Sequence, residues 1–138
     1  MHRQFQQGIF MAVILVVEDD EQIRTLACAL IEEQGHKELS ASNAEEALAL
    51  LRSDKLIDLL FTNLTLQEDQ QGGIALAIEA RDLRPALDVL YTTAQAMTDG
   101  MRLLFVRGSS FLAKPYNLDE MRLAIETVLR ESLQEQGA

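Results

Sequence analysis

Cysteine occurs once in the 138 residues, as Cys28, so the chain forms no internal disulfide and no multi-thiolate zinc site. Basic residues are few: 12 Lys and Arg stand against 22 Asp and Glu, a net charge of −10. Such a surface repels nucleic acid and anionic membrane unless its basic residues cluster, and the sequence contains no basic run. No apolar stretch approaches the roughly 18 residues of a membrane span. The only histidines, His2 and His36, lie too far apart for metal-ligand spacing. Neither a nucleophile elbow nor a glycine-rich phosphate loop occurs. The opening MHRQFQQGIF lacks the apolar block and cleavage site of a secretory signal. Residues 1–11 are therefore expected to be a leader or a disordered N-terminus, with Met11 as an alternative start, and the protein is expected to be cytoplasmic.

What is present is the balance of an ordinary globular domain, 48% apolar and 25% charged in 15.4 kDa. A single domain of this size buries about two-thirds of its unfolded surface and needs no staples. From Ala12 onward two textures alternate. Val13 to Val17 is a short, wholly apolar run, as in a parallel strand buried on both faces. Ile23, Leu26, Ala27, Leu30 and Ile31 then fall on one helical stripe, which Gly35 ends.

Lys37 to Ala41 is a weaker strand, followed by a second stripe at Ala44, Ala47, Leu48 and Leu51 with Ser42 or Asn43 as its cap. Ile57 to Thr62 predicts a third strand, and Ile74, Ala77 and Ile78 a third helix that stops near Arg84, before Pro85. Leu87 to Tyr91 predicts a fourth strand, Thr98 to Arg107 a less regular fourth helix, and Phe111 to Ala113 a fifth strand. Leu118, Met121, Ile125, Val128 and Leu129 mark the last helix.

Five strand–helix pairs predict an α/β fold: a doubly wound, five-stranded parallel sheet flanked by five helices. Such sheets bind ligands beyond the carboxyl ends of their strands. The residues at those ends are therefore where chemistry is expected. The first strand ends in four consecutive acids, Glu18 to Glu21. Asp20 and Glu21 suit a helix N-terminus, but Glu18 and Asp19 sit at the strand tip, where oxygen ligands suit a hard cation such as magnesium. The third strand ends in Asn63, the fourth in Thr92-Thr93-Ala94 and the fifth in Lys114-Pro115. Each alone reads as an ordinary strand or turn residue. As a set in fixed order they are specific.

This set resembles the receiver domain of two-component response regulators over about residues 12–133, leaving 134–138 as a tail. ILVVEDDE, GHKELSASNAEEALALL, VLYTTAQA and FLAKPY carry the likeness, and the wording of the middle section is most similar to receivers of hybrid histidine kinases. The resemblance implies a flavodoxin-like fold. It also implies a site in which an aspartate ending the third strand accepts a phosphoryl group from a histidine kinase. Carried onto this chain, Glu18 and Asp19 match the magnesium-binding acidic pair, Thr65 would offer its carbonyl, and Thr93 and Lys114 would contact the phosphoryl oxygens. Ala94 follows the switch threonine, Phe111 stands at the switch aromatic, and a cis bond is expected before Pro115.

The acceptor position departs from the family: it is Asn63. An amide lacks the charge and the nucleophilic lone pair that acyl-phosphate formation requires. Losing a unit charge at ~4 Å removes on the order of 4 kcal/mol at an effective dielectric of ~20, so magnesium binding is expected to be weak or absent. Gln67 to Gln71 is a second departure, a polar loop before Gly72. Its Glu68 and Asp69 are alternative acceptors, though loop acids are usually just solvated.

The favoured reading is a stand-alone pseudo-receiver. It is not an enzyme, and it acts through contacts with a histidine kinase or another signalling protein by its fourth helix, fifth strand and fifth helix. The extra apolar residues of Met101 to Val106 support that face. The alternative is an ordinary phospho-accepting receiver, with Asn63 a substitution that traps its unphosphorylated form or with Glu68 or Asp69 as acceptor. A flavin carrier of similar architecture is rejected, because four acids occupy the place of its phosphate cradle. No helix-turn-helix follows the last helix in this sequence, so any DNA output is expected from another protein.

Overall fold

A computed structural model describes residues 11–137, with side chains as far as Leu129; of the leader expected at 1–11, only Met11 lies within it. Among the described residues, five strands alternate with five helices: β1 (Val13–Val17), α1 (Glu21–Glu33), β2 (Lys37–Ala41), α2 (Ala44–Arg52), β3 (Leu59–Asn63), α3 (Gly72–Leu83), β4 (Asp88–Thr93), α4 (Asp99–Arg102), β5 (Ser110–Ala113) and α5 (Leu118–Gly137). The sheet is wholly parallel, in the order β2-β1-β3-β4-β5. The expected doubly wound α/β architecture is therefore the observed one. α5 continues through 134–137, the residues expected as a tail.

Strand side chains alternate between faces, and the alternation divides the core in two. Leu15, Val17, Leu60, Val89 and Tyr91 pack beneath α2 and α3. Ile14, Val16, Leu59, Phe61 and Leu90 pack beneath α1 and α5. Burial on both faces explains why β1 contains no polar residue.

The helix ends follow local chemistry. Asp20 caps α1 by accepting the Ile23 N–H at 3.0 Å, and Asn43 caps α2 by accepting the Glu46 N–H at 2.8 Å. Gly35 takes the left-handed conformation, φ +89°, just after α1.

Three details of the sequence reading are corrected. First, α1 buries only Ala27 and Ile31, while Ile23 stands at the surface and Leu26 is 58% exposed. The small Ala27 lets the helix settle on the sheet along that line, and Ile23 and Leu26 lie to one side of it. Second, α3 buries Gly73, Ile74, Leu76, Ala77 and Ala80, whereas Ile78 is 51% exposed. The close seat of Gly73 on β3 sets the rotation of this helix.

Third, the fourth helix does not run to Arg107. Beyond Arg102 the chain continues in turns, with Leu104 N–H bonded to Met101 O at 3.1 Å and Phe105 N–H to Arg102 O at 3.2 Å. These turns lay Phe105 on the Tyr91 ring at 4.2 Å and bring the Val106 N–H to the Tyr91 hydroxyl at 3.1 Å. A continuous helix would use that N–H internally. A tertiary contact here overrides the local pattern.

His36 follows α1 at the opposite end of the sheet from the strand tips, where its Nδ1 accepts the Ala12 N–H at 3.0 Å. Burial lowers its pKa below the ordinary histidine value, against the opposing pull of Glu126 and Asp58. The neutral ring is thus favoured by folding. Its contribution is present above about pH 6.5, the unfolded value, and is lost as pH falls through the lower folded value. Denaturation midpoints should fall across that window, and His36→Asn, which keeps an acceptor but does not titrate, should remove that component. An unchanged pH profile in the variant would refute the assignment.

Candidate functional site

The strand order reverses direction between β1 and β3, so their carboxyl ends open a crevice at the position where doubly wound sheets bind ligands. β1 delivers Glu18, Asp19 and Asp20; β3 delivers Asn63; β4 delivers Thr93; and β5 delivers Lys114. Four of the residues named from sequence are brought together directly. Lys114 Nζ donates to Glu18 Oε1 at 2.6 Å and lies 3.4 Å from Asn63 Oδ1. Asn63 Nδ2 in turn donates to the Thr65 carbonyl at 2.9 Å.

Glu18 is 4% exposed and is held from three sides. Its second oxygen accepts the Asp20 N–H at 3.1 Å, and its carbonyl accepts Arg24 Nη1 at 2.7 Å. Asp19 reaches the other way, accepting the Gln67 N–H at 3.0 Å. Partial burial pushes the Asp19 carboxyl up, but the Gln67 N–H, Glu18, its own backbone N–H and the Lys114 charge together hold it below the usual aspartate value.

The remaining residues surround this centre. The Thr93 hydroxyl accepts the Gln95 N–H at 3.1 Å, and the Thr93 carbonyl accepts the Lys114 N–H at 2.9 Å. Ala94 is exposed at the rim. Phe111 is half-buried and packs on the α2–α3 side of the core, one strand across from Tyr91. The Lys114–Pro115 bond is cis. Glu68 is exposed, and the Asp69 carboxylate accepts the Gln71 N–H at 3.0 Å.

A profile of the response regulator receiver domain matches residues 14–126. The chain belongs to the response regulator receiver domain family. This receiver domain, a module of two-component signalling, is 30% identical over 122 residues to the transcriptional regulatory protein CpxR of Klebsiella pneumoniae, a match covering 88% of this chain and 51% of that protein. Among solved structures, NtrX from Brucella abortus superposes with a TM-score of 0.82 at 30% identity, covering 92% of this chain and 28% of that one. The receiver domain of the hybrid histidine kinase CckA superposes with a TM-score of 0.70 at 26% identity, covering 85% of this chain and 98% of that one. The receiver domain thus spans about half the length of CpxR and less of NtrX. Among the described residues, no helix is long and apolar enough to cross a membrane.

Receiver domains as a family hold magnesium at the acceptor site, so the donor set here must be tested against that ion. Magnesium demands near-octahedral oxygen ligation. Here the Asn63 amide N–H points at the Thr65 carbonyl, and the Lys114 ammonium holds Glu18. Among the described residues, no group of three or more His, Cys, Asp or Glu side chains is placed to hold a metal. As paired here, the site presents an N–H and an ammonium where that ion requires oxygen ligands.

Sequence reasoning missed two features. One is the Gln67 backbone N–H, whose tie to Asp19 no side-chain pattern could announce. The other is an apolar groove of about 340 Å³ beside the crevice, lined by Ile23, Leu26, Ala94, Lys114, Pro115 and Tyr116. The signal for the groove lay in the width of the α1 stripe, which has more apolar positions than one buried face uses.

Proposed function

We propose that this receiver domain signals through protein contacts and is not phosphorylated at residue 63. One observation carries the reading: both ends of the Asn63 side chain are engaged within the domain, Nδ2 by Thr65 O and Oδ1 by Lys114. An amide there offers no carboxylate to form an acyl phosphate, and its lysine is already committed to Glu18. The domain would act in the cytoplasm as a contact module, not as an enzyme, with a histidine kinase or another signalling protein as partner.

The contact face we assign is formed by α4, β5 and α5. In the turns just after α4, Leu103 is 85% exposed and Leu104 44%, whereas Met101, Phe105 and Val106 pack against the core, and Leu123 projects from α5 into solvent. Scattered exposed leucines are ordinary. On a surface of net charge −10, however, an apolar face is the part best suited to bind a partner.

Intact mass after incubation with acetyl phosphate and magnesium tests the reading. The protein should gain no phosphoryl mass, and Asn63→Asp should gain it. Labelling of the unsubstituted protein, mapped to Glu68 or Asp69, would overturn the proposal in favour of an alternative acceptor. Failure of both forms to label would leave the contact reading in place and locate the divergence beyond residue 63.

A further inference from the structure

We propose that the crevice is a metal-free latch: donors of the protein itself stand where a divalent cation would bind, and they hold the β3–α3 loop in one fixed shape. The inference extends the contact reading above and shares with it only the premise that residue 63 is not an acceptor.

Glu18, Asp19, Asn63 and the Thr65 carbonyl each already hold at least one hydrogen bond within the protein. Asn63 Nδ2 to Thr65 O, at 2.9 Å, ties together the two β3-end groups that would hold an ion. Lys114 Nζ takes Glu18 Oε1 at 2.6 Å, and the second Glu18 oxygen holds the Asp20 N–H at 3.1 Å. Asp19 Oδ2 holds the Gln67 N–H at 3.0 Å. The orientation of the Asn63 amide is fixed by its neighbours: the opposite one would aim its NH₂ at an ammonium and its oxygen at a carbonyl. A cation entering between Asn63 and Thr65 would have to displace an N–H and sit near the Lys114 ammonium.

The same network fixes the loop. Gln67 and Glu68 both adopt left-handed backbone conformations, φ 51° and 69°, which side chains other than glycine and asparagine rarely take. They persist because the loop is closed on both sides. Leu66 and Asp69 exchange backbone hydrogen bonds at 3.0 and 2.9 Å, and Gln67 is tied to Asp19. In this arrangement the residue 67–69 tip is presented to solvent in one conformation without an ion or a phosphoryl group to order it.

The test is a magnesium titration of the ¹⁵N-labelled protein against a potassium chloride control of equal ionic strength, with hydrogen exchange read on the same sample. In the unsubstituted protein the amides of Glu18 to Asp20, Asn63 to Gln67 and Lys114 should show no saturable shift, and the Asn63 side-chain NH₂ should exchange more slowly than that of exposed Asn117. In Asn63→Asp the same amides should shift saturably, with magnesium bound at least ~10-fold more tightly, as one added charge near the ion requires. Asp19→Ala, at an exposed position, should speed exchange of the Gln67 amide at least ~10-fold, since loss of one charged hydrogen bond is of that size.

A saturable magnesium shift in the unsubstituted protein, or unchanged Gln67 exchange in Asp19→Ala, would overturn the latch and leave the contact reading untouched. Phosphoryl labelling at Glu68 or Asp69 would overturn the contact reading and leave the latch. If Asn63→Asp does not fold, the unsubstituted protein and Asp19→Ala still decide the question.

Discussion

Gly73→Ala should unfold much of this domain's margin of stability. A Cβ at Gly73 would stand 1.9 Å from the Asn63 carbonyl oxygen and 2.9 Å from both Asn63 C and Leu64 Cα. All three are backbone atoms, so no side chain can swing aside. The Gly73 N–H also bonds the Leu64 carbonyl at 2.8 Å, which pins the first turn of α3 to the end of β3. Relief requires the helix to back away from the strand, breaking that bond and loosening the seat of Asn63. The expected cost is at least ~3 kcal/mol, a fall in Tm of roughly 12 °C for a domain of this size. Gly72→Ala is the control, because its Cβ would meet Leu66 Cβ at 3.1 Å, Leu66 O at 3.3 Å and Asp69 Cβ at 3.4 Å, none of them under 3.0 Å. It should cost under about 1 kcal/mol. Equal effects from the two substitutions in denaturant unfolding would refute the close-approach argument.

The second large effect is expected from Lys114→Met. The Lys114–Glu18 pair is short, at 2.6 Å, and nearly out of water, with side-chain exposures of 14% and 6%. Removing the cation strands Glu18, whose remaining partner for the side chain is the Asp20 N–H at 3.1 Å. Breaking a buried pair from one side costs about 3 kcal/mol or more, because the penalty is that of an uncompensated buried charge. Removing the charge from both sides, in Glu18→Gln with Lys114→Met, should recover most of that loss, since a neutral amide tolerates the same place far better. A double variant no more stable than Lys114→Met alone would show that the lysine acts through packing and not through charge.

Much of this domain was legible without coordinates. The apolar run of β1, the stripes of α2 and α5, the cap at Asp20, a cap at Ser42 or Asn43 and the helix stop at Gly35 are local matters. Strand and helix periods differ, and capping chemistry acts within three residues, so the order of elements and hence the parallel sheet follow from the residues themselves. The set Glu18, Asp19, Asn63, Thr93 and Lys114 was legible too, because a doubly wound sheet sends every strand end to the same side. The absence of an acid at position 63 could be stated from the sequence alone.

What only the tertiary structure decided depends on contacts between residues distant in the chain. The fourth helix stops at Arg102 because Tyr91, on a neighbouring strand, takes Phe105 and the Val106 N–H. Ile23, Leu26 and Ile78 face outward because the seating of α1 and α3 is fixed by Ala27 and Gly73, and periodicity alone does not say which edge of an apolar stripe meets the sheet. The choice of Glu18 as the partner of Lys114, and of the Gln67 N–H as the partner of Asp19, belongs to the same class. A row of acids in sequence offers equivalent charges, and only the path of the chain just beyond β1, which buries Glu18 and exposes Asp19, tells them apart.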